Sequence, residues 1–456
     1  MKRILSVLCA AIFFVGVIGA QSGNLKSSDM SAGVQETTGS GDEEQDEINS
    51  QEDVYKNYPR ITFWTFNDDI LKATENPVIL NSIRIYIENV KFEYPEFNTE
   101  LEKQFNSGST TPDVFLLEEG NIRTFVGQKT DNLLDLTDLY DEIKGKLFSY
   151  PQKMATKDGR VYAIGWQVTP GAIYYRKSLA RKYLKTDDPE KVQEFFSDWD
   201  KYLETAKILR VKSKGRCYVN ASSSDIDVPF SFARKGPWIV DGEVCIDPDL
   251  EKQMDVARAL VRRNYTPNYE MWGDFWFEGM SGRLIDSTDQ PIEIFCYFFP
   301  NWGSYMLKGI APETEGDWGV IQGPQAYNWG GTWFAVNKNS EKPEEAKQFI
   351  RFMCADDDFS GLWIKFSGDL ISNKDMAKDF SNYQENADFM KGISSSDFIQ
   401  FIDSVNVVEC GEFDKELNEL WALAVKKYAG DEMPRSEAIE WFKKNAASLL
   451  ERRTDK

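Results

Sequence analysis

Residues 158–176, DGRVYAIGWQVTPGAIYYR, constrain the fold more than any other stretch of this chain. A turn at Asp158-Gly159 opens into a short apolar strand, 161–164, which breaks at Gly165-Trp166. Polar Gln167 and Thr169 lead through Pro170-Gly171 to a second apolar strand, 172–175, that ends at Arg176. Tight hairpin turns are short and regular, whereas this joint is long and punctuated by Gly and Pro. The pattern predicts a crossover between two packed bodies. Trp166 either faces the space between those bodies or is buried in an ordinary strand connection, and the stretch alone leaves both open.

At 456 residues the chain can build two or three cores. Its long apolar run lies at the start, where Met1-Lys2-Arg3 precede residues 5–20. A basic tip, an apolar segment too short for a bilayer and small residues at the exit predict a signal peptide over 1–20. Cys9 lies inside the run, so a lipid-anchored cysteine is not expected. The reading is an exported protein, periplasmic or extracellular. The net charge of −21 becomes −23 when Lys2 and Arg3 leave, with 51 basic against 74 acidic side chains. Such a balance argues against nucleic acid and anionic membrane and suits a neutral ligand. Histidine is absent, which removes the commonest general base and metal ligand together. Cys217, Cys245, Cys296, Cys354 and Cys410 are odd in number and lack a CxxC spacing. Isolated thiols are expected, with one bridge such as Cys217 to Cys245 left open.

Residues 21–56 are rich in Ser, Gly, Gln, Asp and Glu and read as a solvated, disordered leader. The folded part begins at RITFWTFN, a strand with aromatic residues at its carboxyl end and polar Asn67 beyond. Open α/β sheets bind ligands at that end, although Trp64 and Phe66 could equally pack under a helix. A strand at 90–92, a helix at 97–105 and a strand at 114–117 make a βαβ unit, with Asn121 expected to cap the next helix. Helices follow at 177–184, 199–209 (capped by Ser197 or Asp198), 249–263 and 340–354. A strand is expected at 316–321. The aromatic-dense section 265–277 reads as core ring by ring. Two glycines between Trp329 and Trp333 let a ligand or a second backbone approach closely.

No nucleophile-base pairing is possible without histidine, and no phosphate-binding glycine loop appears. Asp356-Asp357-Asp358 read as a solvated loop, with a calcium site as the sharper alternative. Glu118 and Glu119 could form a glycosidase pair, but an acidic chain offers such pairs by chance. The 13 Trp and 19 Tyr suit stacking on sugar faces.

Four stretches carry a likeness: ITFWTF at 61–66, TPDVFLLE at 111–118, DGRVYAIGWQVTPGAIYYRKSL at 158–179 and GDWGVIQGPQAYNWGGTWFAVNKNSEKPEEAKQFIRFM at 316–353. The weaker SGDLISNK at 367–374 agrees. In this order they resemble the carbohydrate-binding family of extracellular solute-binding proteins of ABC transporters. The resemblance implies an α/β fold of two lobes joined by a hinge, the Venus-flytrap arrangement. It places lobe 1 at 57–165 plus 316–360 and lobe 2 at 166–315 plus 361–456. It also implies ligand contacts from Trp64, Phe66, Asn67, Glu118, Glu119, Trp166, Trp302, Gly331 and Trp333. Neither cofactor, metal nor catalysis is implied. The expected partners are a carbohydrate, mono- or oligosaccharide, and the permease subunits of an importer, met by a monomer. An exported glycosidase using Glu118 or Glu119, and a sugar-binding surface protein without a transporter, are the alternatives. Many members start with a lipid-modified cysteine, and this sequence does not.

Overall fold

Large apolar side chains on both faces of RITFWT require cover on both sides, and the chain supplies it with helices. In the computed structural model, which describes residues 55–367, 370–379, 387–393, 395–409, 411 and 413–454, this segment is β1 (Arg60–Thr65). The signal segment, nearly all of the acidic leader and Cys410 lie outside the described residues. β1 runs parallel to β2 (Tyr86–Lys91) on one side and β3 (Val114–Glu118) on the other. β8 (Thr332–Val336) is antiparallel to both β3 and β4 (Ala163–Gly165), giving the order β2-β1-β3-β8-β4. Phe63 packs 5.4 Å from Phe349 of α8 (Pro343–Ala355) on one face. On the other face Trp64 lies 4.6 Å from Phe92, and Phe66 lies 5.2 Å from Phe97 of α2 (Tyr94–Ser107).

A second sheet is built around β5 (Gly171–Arg176), with β6 (Cys296–Pro300) and β7 (Trp318–Ile321) antiparallel on either side. The chain therefore leaves the first sheet between β4 and β5 and returns between β7 and β8. The fold is α/β in two lobes, as the resemblance implied. The lobe boundaries need correction. β7 belongs to the second sheet, so the return follows Ile321 rather than preceding residue 316. α9 (Asp357–Ser367) stays with the first lobe: Phe359 packs on Phe352 of α8, and Trp363 lies 4.7 Å from Trp166. Both errors concern pairings far apart in sequence, which local pattern cannot reveal.

Long-range side-chain contacts close the second lobe. The indole of Trp421 in α10 (Asp414–Ala429) donates to Gln253 of α6 (Pro248–Arg262) at 2.8 Å. Phe442 of α11 (Arg435–Thr454) packs against both Trp238 and Trp421. Asp198 caps α5 (Trp199–Lys212) as expected, accepting from Lys201 N at 2.8 Å. The aspartate triplet is not a loop: Asp356 accepts from Phe359 N and starts α9. Among the described residues no acidic group has metal-ligand geometry. Cys217, Cys245, Cys296 and Cys354 are free thiols, so the Cys217–Cys245 bridge is absent. Among the described residues no helix is long and apolar enough to cross a membrane.

Candidate ligand site at the crossover

Where the backbone passes between sheets it cannot continue either ladder, and its polar groups must find other partners. Trp166 N donates to Thr332 O at 2.9 Å, and Trp166 O accepts from Ser372 N at 2.6 Å. Thr169 N donates to the Tyr150 hydroxyl at 2.6 Å, and Thr169 O accepts from Trp329 N at 3.1 Å. The two crossovers are thus tied to each other, to α4 (Tyr150–Met154) and to the segment around Ser372. Burial raises the Tyr150 hydroxyl well above its ordinary value.

The side chains here are less complete. The Trp166 indole N–H, Thr169 Oγ1, Asn301 Oδ1, Asn328 Oδ1 and Ser372 Oγ are all buried, and none has a hydrogen-bond partner. A buried polar atom without a partner costs about 1–3 kcal/mol. Such a group in a native structure calls for an explanation. Five of them, drawn from both crossovers, the end of β6 and the segment at 372, are a concentration of unmet hydrogen bonding.

Beside them lies an aromatic cluster. Trp302 donates its indole N–H to Trp329 O at 3.3 Å, and the two rings meet edge to face at 5.2 Å. Trp329 is stacked on Phe299, and Trp272 approaches it at 5.7 Å. Trp272 and Trp302 remain partly exposed. Gly330 and Gly331 hold φ of +88° and +107°, a region that β-carbon residues rarely adopt. A Cβ on Gly331 would lie 3.3 Å from the Trp333 ring and 3.5 Å from Thr169 Oγ1, so this turn has little spare room.

The residues implied by the resemblance divide into three groups. Trp302 and Gly331 lie at the crossover, and Trp166 joins them through its backbone and its unpartnered indole N–H, but its ring is fully buried, packed 5.5 Å from Phe334 and 4.7 Å from Trp363. Trp333 is close by, but its indole N–H donates to Pro151 O at 2.9 Å and its ring is buried. Trp64 and Phe66 serve the first lobe's core beneath α2. Asn67 is buried and caps α1 (Asp68–Thr74), accepting from Asp69 N and Ile70 N at 2.9 Å each. Trp272 and Trp329 join the cluster, although the ring-by-ring reading of 265–277 assigned Trp272 to core. The double glycine after Trp329 was a usable signal, whereas nothing in the sequence marked Trp272.

Glu118 and Glu119 form the third group. Glu118, not Asn121, is the N-cap of α3 (Glu119–Gln128), in a reciprocal capping box where Asn121 Oδ1 accepts from Glu118 N at 2.8 Å. Glu119 pairs with Arg123 at 3.3 Å, and Arg123 with Asp414 of α10 at 2.8 Å. Burial is the largest influence on the Glu119 carboxyl and lifts it to about 7, against the opposing pull of Arg123. Both carboxyl groups are engaged in structural contacts.

This geometry has known counterparts. A family model described as "Bacterial extracellular solute-binding protein" matches residues 72–391, well over half of the chain. The diacetylchitobiose binding protein DasA of Streptomyces coelicolor is 25% identical over 316 residues, covering 65% of this chain and 69% of that protein. A solved extracellular solute-binding protein of family 1 superposes with a TM-score of 0.74 at 20% identity, covering 86% of this chain and 99% of the other. The sugar-binding protein MalE of Xanthomonas citri superposes with a TM-score of 0.67 at 15% identity, covering 87% and 98%. Two α/β lobes, a double crossover and a sequence matching the family over most of its length lead to one conclusion: the chain belongs to the bacterial extracellular solute-binding protein family.

Proposed function

We propose that this chain captures a sugar between its lobes, outside the cytoplasm, and delivers it to the permease subunits of an ABC importer. The observation that carries the reading is the set of five unpartnered polar atoms beside the partly exposed Trp272 and Trp302. A sugar offers the matching chemistry, since its apolar faces stack on rings while its hydroxyls both donate and accept. The strongly acidic surface suits a neutral ligand. DasA is a diacetylchitobiose binder by name, which points the same way.

Function then follows from population shift. A ligand that touches both lobes gains its full contact energy only when they are closed, so its differential affinity drives closure. No bond is made or broken in this reading. Glu118 and Glu119 act in a helix cap and an ion pair rather than as an acid and base, which disfavours the glycosidase alternative. Export by residues 1–20 and a monomeric state complete the proposal.

Thermal unfolding in millimolar diacetylchitobiose, maltose and β-1,6-galactobiose tests it. A sugar at 100 times its dissociation constant adds about 2.7 kcal/mol and raises the midpoint. Stabilisation by at least one sugar, recovered intact afterwards, is the expected result. A flat response across a wide sugar panel, or release of hydrolysed product, overturns the reading.

A further inference from the structure

Arg123, Arg234 and Asp414 are charged side chains almost without exposure, at 4%, 2% and 1% respectively, and sugar capture gives them no task. They lie where the lobes meet. Arg123 projects from α3, which follows β3 of the first sheet. Asp414 opens α10, whose indole Trp421 is bonded to α6 of the second lobe. Arg234 precedes Trp238, which packs on Phe442 of α11. Arg123 Nη1 stands 2.8 Å from Asp414 Oδ2, and Arg234 Nη2 stands 3.3 Å from Asp414 Oδ1. The Arg123 guanidinium also lies 5.0 Å over the Phe232 ring of the second lobe.

We infer that Arg123 and Asp414 form a latch between the lobes that favours the closed arrangement before any ligand enters. The distribution of charge is what makes such a latch reversible. Breaking a buried ion pair normally strands a lone charge at high cost. Here separation of the lobes divides the cluster into two balanced pairs. Arg123 keeps Glu119 on the first lobe, at 3.3 Å, and Asp414 keeps Arg234 on the second. Asp414 also retains the Gly411 N–H at 3.1 Å. Once hydrated, the Glu119 carboxyl is no longer held up by burial and ionises, so each half can meet water as a neutral pair, and opening sacrifices the 2.8 Å contact and the ring contact without leaving an unpaired ion. A protein biased toward closure in this way binds ligand with less loss to the open population.

Small-angle X-ray scattering of the full, ligand-free chain tests the inference without needing to know the ligand. Arg123→Gln removes the cross-lobe charge and leaves the Asp414–Arg234 pair in place. With unchanged circular dichroism, the variant is expected to show a larger radius of gyration than the wild type under the same conditions. An identical radius in the two folded proteins overturns the latch. If Arg123→Gln does not fold, Arg123→Met takes its place, since it keeps an unbranched apolar stem but carries no charge to pair with Asp414. The same two outcomes then decide.

Discussion

Gly171 sits at the start of β5, where the first crossover enters the second sheet, and the ring of Tyr327 from the other crossover lies directly over it. A Cβ at position 171 would come closer than 3.0 Å to three atoms of that ring, nearer than real Cβ atoms approach. The ring is fully buried and cannot swing into solvent. Its hydroxyl donates to Ala172 O at 3.0 Å, and Gly171 N donates to Tyr327 O at 2.7 Å, so the backbone there is held from both sides. Overpacking of this kind costs about 1–3 kcal/mol. Losing the tyrosine hydrogen bond adds about 1 kcal/mol. Gly171→Ala is therefore expected to destabilise the protein by about 2–4 kcal/mol in urea unfolding. Gly236→Ala, whose Cβ would meet nothing within 4 Å and whose φ is not left-handed, is the matched control and should be near neutral. A double-mutant cycle isolates the cause: in a Tyr327→Ala background the cost of Gly171→Ala should largely vanish, because the obstructing ring is gone. A loss under about 0.5 kcal/mol for Gly171→Ala alone, or the same loss with and without Tyr327, would refute the steric argument.

Three further outcomes follow from the same geometry. Trp302→Ala removes a partly exposed ring from the cluster and should weaken sugar binding about tenfold, a loss of about 1.4 kcal/mol by titration calorimetry, with little effect on the unfolding midpoint. Glu119 has its folded carboxyl raised from 4.5 to about 7. Its protonated form is favoured in the native state, so its contribution is full below pH 4.5 and is lost as pH rises through about 7. Glu119→Gln should thus flatten that part of the stability profile in urea unfolding, by up to about 3 kcal/mol. Arg351 holds Glu142 through two 2.6 Å bonds, but the pair is half exposed, and Arg351→Ala should cost under about 1 kcal/mol in the same assay.

The crossover was legible because glycine and proline interrupt a strand pattern in a way that no hairpin requires, and the structure puts 163–165 and 171–176 in different sheets, with 160–161 paired to 156–157 in a small ribbon of its own. The βαβ start was legible in outline, since α2 and β3 carry their own periodicity, but its first strand, expected at 90–92, is β2 at Tyr86–Lys91, and β2 and β3 flank β1 rather than pair with each other. What failed was long-range partnership. GDWGVI reads as a strand on its own, but only its pairing with β5 assigns it to the second lobe. Trp64 and Phe66 show how side-chain chemistry without position misleads. Their place at a strand end suits a ligand, yet Phe92 and Phe97 cover them. Glu118 and Glu119 were visible as a pair, whereas the partner that engages Glu119, Arg123, gains its own second partner almost 300 residues away at Asp414.

The most direct test of sugar capture at the crossover is calorimetric titration of the wild type and Trp302→Ala with diacetylchitobiose, maltose and β-1,6-galactobiose. The account predicts that at least one sugar binds the wild type near micromolar affinity, about 8 kcal/mol, and binds the variant about tenfold more weakly. No heat from any sugar, or equal affinity in the two proteins, would contradict it.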